Sequence, residues 1–190
     1  MSTEIKEADG RLFTRWVRAT AVGWLLGFGL VIVLALAWDM VGGGAQFMVG
    51  VGMGAGVGYM QSRVVRLWVG SARGWSLASI IGMGAPFVLW DISAAVGIEF
   101  PMGLPLSVLV GGLFVGILQR RLLRPHSDRA TWWVPACIVG WGLPAGAIAL
   151  GDHLPGPGNL FSVGAMFFGG VILGAVTGKT LLWMLHRSEL

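Results

Sequence analysis

Few side chains in this chain could do acid, base or metal chemistry, and their spacing keeps them apart. His126 and His186 stand at one edge of the apolar stretches and His153 at the opposite edge, so no two could clasp a metal from facing helices. Cys137 is the single cysteine; with no partner for a disulfide and no charged neighbour to activate a thiolate, it reads as a small, weakly polar packing residue. No nucleophile elbow, phosphate-binding loop or glutamate-rich metal motif occurs, so no catalytic residue, metal ligand or cofactor is assigned.

What remains is a small polar set: Gln61, Gln119, Thr177 and Asp91. Two amides and a hydroxyl at equal spacing could line a path for a polar solute, or could bond backbone carbonyls across helix interfaces. A carboxylate within a membrane span is a transport or proton-relay candidate. Asp91 lies about 24 Å along its helix from Trp75 at about 1.5 Å per residue, with apolar sequence continuing to Gly97. It is the single best functional candidate, and the alternative is that the helix ends near Trp90 and Asp91 faces outer water.

Two short patterns position this set. The first is Trp, Ala at +3, a small polar residue at +4, Gly at +7, and Gly or Pro at +11. It occurs as Trp16, Ala19, Thr20, Gly23, Gly27, as Trp75, Ala78, Ser79, Gly82, Pro86, and as Trp133, Ala136, Cys137, Gly140, Pro144. The second is Gly, Gly at +4 and a polar residue at +7: Gly54, Gly58, Gln61, then Gly112, Gly116, Gln119, then Gly170, Gly174, Thr177. Offsets of 58 or 59 residues relate all members, which predicts three hairpin repeats at about 11–68, 69–126 and 127–190 within a single transmembrane domain, 1–190.

Composition points to the membrane. The chain is 55% hydrophobic and 12% charged, with 32 glycines among its 190 residues, too much apolar surface for a soluble domain. Six apolar stretches, about 16–38, 44–65, 75–97, 104–123, 132–151 and 160–184, each approach the length of a bilayer crossing. Continuous runs of this length predict helices rather than barrel strands. The expected fold is an all-α membrane protein of six transmembrane helices, arranged as three parallel hairpin repeats with a pseudo-threefold axis along the membrane normal.

Charge sets the orientation. All 13 Lys and Arg residues fall before the first stretch, in the second and fourth links, or near the chain end, whereas the opposite links carry Asp39, Asp91, Glu99 and Asp152. The positive-inside rule then predicts both termini on the cytoplasmic side. The basic excess is a topology signal, attractive to anionic lipid but not to nucleic acid. Trp16, Trp68, Trp75, Trp132, Trp133 and Trp183 near one set of ends, with Trp38 and Trp90 near the other, suggest interfacial aromatic belts; Trp24 and Trp141 lie deeper. Pro86 and Pro144 should bend their helices, and Pro155-Gly156-Pro157-Gly158 reads as an outer turn.

The small faces are packing faces, since helices in lipid associate by close backbone approach. Gly23, Gly54, Gly58, Gly82, Gly112, Gly116, Gly140, Gly170 and Gly174 carry them. Together, Trp-x-x-Ala-(Thr/Ser/Cys)-x-x-Gly followed by Gly-x-x-x-Gly-x-x-Gln and Arg, as at Arg66 and Arg124, resembles a loose group of uncharacterised bacterial multipass inner-membrane proteins built from tandem hairpins. The third repeat departs from the pattern, with Thr177 for Gln and Leu182 for Arg. The resemblance implies a bacterial inner-membrane location and carries no activity with it. The expected role is non-catalytic: an integral subunit or assembly partner whose glycine faces pack against the helices, pigments or lipids of a larger membrane complex. The alternative is a small-solute transporter or channel using the Gln61, Gln119, Thr177 ring and Asp91, and a membrane-embedded enzyme comes third.

Overall fold

A computed structural model describes residues 3–40, 45–98, 103–154 and 158–185. His186, Arg187, Glu99 and the turn at 155–157 lie outside the described residues, as do the side chains of Lys6 and Asp152. The described chain is all-helical, without strands: α1 (Thr3–Asp39), α2 (Phe47–Val69), α3 (Trp75–Ala95), α4 (Leu104–Leu123), α5 (Trp133–His153) and α6 (Gly158–Leu185), with two 3-10 turns between α4 and α5.

Helix α1 starts more than a dozen residues before its apolar run, because Thr3–Arg15 has no proline to stop it and Glu7 braces Arg11 one turn on at 2.7 Å. At 1.5 Å per residue it is about 55 Å long, well beyond the roughly 30 Å hydrocarbon core. Helix α2 runs past its expected end to Val69 and stops where Gly70 adopts φ 68°. Gly74 adopts φ 81° and opens α3, so these two left-handed glycines make the short reversal between the helices. Both α3 and α5 continue through Pro86 and Pro144.

Five of the helices are long and apolar enough to cross a membrane. Helix α2 falls outside that set because Gly50, Gly52, Gly54, Gly56 and Gly58, together with Arg63 and Arg66, dilute its hydropathy. Its glycines are all buried, which is why little apolar bulk is needed there.

Each helix packs against its neighbours in sequence, and α6 closes back on α1, so the helices form a closed ring. Neighbours run antiparallel: Gly23 lies against Gly56 and Gly27 against Met53 across α1 and α2, and Gly54 and Gly58 face Ser79 and Ser76 across α2 and α3. Gly82 meets Val115, Gly112 and Gly116 meet Cys137 and Val134, Gly140 meets Leu173, and Gly170 and Gly174 meet Ala21 and Val17. The glycine faces are thus occupied within the chain. This corrects the expectation that they would pack against partners: a closed ring gives every helix two internal neighbours, and large side chains such as Leu25, Ile81, Leu143 and Phe168 face outward. Alternation of direction also gathers Arg11, Arg15, Arg18, Arg63, Arg66, Arg73, Arg120, Arg121, Arg124, Arg129 and Lys179 at one end of the ring, and Asp39 and Asp91 at the other.

Candidate functional site

The ring encloses an axis, and its basic half is filled by tryptophan. Trp16, Trp75 and Trp133 are at most 1% exposed. Their ring centroids form a triangle with sides of 6.2, 5.9 and 5.7 Å, each pair edge to face, and Trp68 stacks on Trp16 at 5.8 Å. The interfacial-belt expectation is corrected for these three side chains. Trp75 and Trp133 begin their helices and Trp16 lies well inside α1, and all three side chains are buried at the axis, whereas Trp38, Trp132 and Trp183 do lie on the outer surface.

The triangle engages three of the four polar residues, Gln61, Gln119 and Thr177. Trp75 Nε1 donates to Gln61 Oε1 at 3.3 Å, and Gln61 Nε2 donates to Thr20 Oγ1 at 3.2 Å. The same pair of bonds recurs as Trp133 Nε1 to Gln119 Oε1 at 2.8 Å and Gln119 Nε2 to Ser79 Oγ at 2.9 Å. An amide can accept at one atom and donate at the other, so each glutamine joins the helices on both its sides. At the third position Trp16 Nε1 donates to Thr177 Oγ1 at 2.9 Å, and the hydroxyl turns its proton to Leu173 O at 2.6 Å. Threonine is too short to reach across a second seam. The α5–α6 seam therefore has no such bridge at this level, and Cys137 instead directs Sγ toward Gln119 Oε1 at 3.9 Å.

Two turns further along the axis the filling changes from polar-tipped to apolar. Trp24 and Trp141 pack at 5.4 Å, and Trp24 Nε1 donates to the Met166 carbonyl at 2.7 Å. Beyond the triangle lies an axial chamber of about 150 Å³ to which every helix contributes, among others Phe28, Val49, Met83, Val108, Trp141 and Met166. No polar atom lines it. A cavity with no hydrogen-bonding partners in its lining suits a small apolar molecule rather than a hydrated solute.

Sequence reasoning missed this inner stripe. Its signal was present at +8 from each reference tryptophan, where Trp24, Met83 and Trp141 are all bulky, and in the 14-residue spacing that separates Gln61 from Trp75 and Gln119 from Trp133.

Asp91 lies away from the axis. Its two carboxylate oxygens accept the backbone N–H groups of Gln46 and Phe47, each at 2.8 Å, so α3 caps the N-terminus of α2. A helix start leaves such donors unpaired and carries partial positive charge, and a carboxylate answers both. The structure thus separates Asp91 from Gln61, Gln119 and Thr177 instead of gathering them at one site. Replacing Asp91 by Ala should destabilise the protein by about 1–2 kcal/mol, with faster amide exchange confined to the first turn of α2. Asp91→Asn should lose less, since one acceptor oxygen remains for two donors. Hydrogen exchange and the thermal midpoint in detergent would check both.

No acidic or histidine cluster able to hold a metal ion occurs among the described residues. Fold and site define an all-helical membrane protein with an aromatic-plugged axis. No protein-family model, no curated protein and no solved structure matches the chain.

Proposed function

We propose that the protein is a non-catalytic integral membrane protein of the bacterial inner membrane, with both termini cytoplasmic, and that it serves as a rigid subunit or assembly partner of a larger membrane complex. Its three hairpins are parallel repeats about an axis along the membrane normal. The recurring tryptophan–glutamine bonds at equivalent positions support that arrangement, and the gathering of basic residues at one end supports the orientation.

One observation carries the reading. Gln61, Gln119 and Thr177 on the axis are bonded around three closely packed indoles, which supports a structural role for this layer. The outward surface remains, and it is apolar on every side, with Phe161, Phe167 and Phe168 grouped on α6. Because the glycine faces are engaged inside the ring, a partner would meet these large side chains. Purification in mild detergent should recover the chain in a defined complex of larger mass; a strictly monomeric, partner-free species would overturn the subunit reading.

A second reading, a small-solute transporter or channel, draws on the axial chamber. Its route would have to pass the tryptophan triangle and the Gln61, Gln119, Thr177 layer. Replacing Gln61 and Gln119 together by Leu should abolish flux in reconstituted vesicles on that reading, and undiminished flux would remove this layer as the path.

A further inference from the structure

The α5–α6 seam carries no side-chain bridge at the level of the tryptophan triangle, and on its outer side the surface opens into a groove of about 610 Å³. Val139 and Val176 line its length, Lys179 stands at its rim, and Trp132 and Trp183 meet edge to face at 6.0 Å at its basic end. Arg129 places its guanidinium over the Trp183 ring, 4.7 Å from the centroid. That contact holds the side chain in place. One terminal nitrogen of Arg129 is shielded from solvent and has no hydrogen-bond partner. Neither Arg129 nor Lys179 forms an ion pair with a described residue, and Lys179 stands on α6 one helical turn before Trp183, the ring that Arg129 covers.

We propose that this groove binds one anionic phospholipid, with its phosphate held by Arg129 and Lys179 and one acyl chain lying between α5 and α6 along Val139 and Val176. Two cations beside an apolar trough match an anionic head joined to a hydrocarbon tail, and an unpartnered donor shielded from water gains most from a charged acceptor. A phosphate bound without a chain would leave the trough unused. Position in the sequence argues for a single such site. At the repeat offsets of 58 or 59 residues, Arg121 and Arg63 stand where Lys179 does, but Gly74 and Arg15 replace Trp132, and Pro125 and Leu67 replace Trp183. The tryptophan pair that closes the groove exists only in the third hairpin. The proposal rests on the helices spanning a bilayer and is independent of the subunit reading.

The test uses the full chain in nanodiscs of phosphatidylglycerol and phosphatidylcholine in equal amounts, released into native mass spectrometry. One retained phosphatidylglycerol per chain is expected, with retention falling about fivefold for Lys179→Gln and by a similar further factor when Arg129→Gln is added, as about one surface cation's attraction is lost each time. Val139→Trp fills the trough while leaving both charges, and it should also lower retention. Arg63→Gln, at the corresponding position without the tryptophan pair, should not. Equal retention of the two lipids, no response to Lys179→Gln, or displacement of the lipid by millimolar inorganic phosphate would each overturn the proposal. Lys179 is exposed, so its variant keeps the test open even if the Arg129 change impairs folding.

Discussion

Gly56→Leu is expected to prevent the ring from closing. A Cβ at Gly56 would fall on the backbone nitrogen of Gly27 and meet the carbonyl oxygen of Gly23 at 2.5 Å. Both obstacles are main chain, so no rotamer change relieves them, and α1 and α2 would have to separate. Overpacking of this kind costs about 3 kcal/mol or more, and separation also forfeits the dispersion contacts that hold helices together in lipid. Even Gly56→Ala should lower the thermal midpoint in detergent measurably. Gly29, on the same helix pair, has nothing near its missing Cβ, and Gly29→Ala should be neutral or mildly stabilising because alanine is the better helix former. Equal tolerance at the two positions, measured by thermal unfolding, would show that the close approach at Gly56 does not matter to the fold.

Trp133→Ala is expected to have the next largest effect, about 3–5 kcal/mol. Trp133 is wholly buried, so its loss opens a void between Trp16 and Trp75 and leaves the Gln119 carbonyl with only the long thiol contact from Cys137. Trp133→Phe separates the two causes. It keeps most of the ring volume but removes the N–H, and a buried hydrogen bond between membrane helices is worth about 1 kcal/mol. A phenylalanine variant as damaged as the alanine one would mean that the indole N–H, rather than the filling of the axis, holds the triangle together. The same variants bear on the transport reading: an alanine at 133 that opened a conductance would identify the triangle as a gate, whereas destabilisation alone supports its reading as core.

Much of this organisation was legible in the residues. Length, hydropathy and the distribution of arginine pointed to antiparallel apolar helices with their basic ends together, because those properties accumulate over about 20 residues and survive uncertainty at any one position. The glycines at four-residue spacing marked helix-packing faces for the same reason: a missing side chain constrains whatever stands opposite. The first turn of α1 and the end of α2 were less legible, since helix continues past the apolar run wherever no breaker stops it.

The polar residues show the limit. Gln61, Gln119 and Thr177 were recognisable as a periodic set, but periodicity alone left open whether their partners were solute, carbonyl or side chain. Asp91 was recognisable as an unusual carboxylate, yet its partners are backbone N–H groups about 45 residues earlier, and a sequence does not display a helix N-terminus as a charge. Trp16, Trp75 and Trp133 were assigned to the interface because tryptophan near the end of a membrane helix usually lies there. Their inward direction depends on which face of each helix meets the axis, and that face exists only once α6 has closed on α1.

By itself, then, the sequence determined the class of the protein, the run and polarity of its helices, and the residues small enough to let them touch, all of which follow from local composition and helical period. Only the tertiary structure decided that the helices form a closed ring. Closure turns glycine faces inward, brings three indoles into contact at the axis and leaves an apolar chamber beyond them. These outcomes depend on contacts between helices far apart in the chain, and the closing contact joins its two ends.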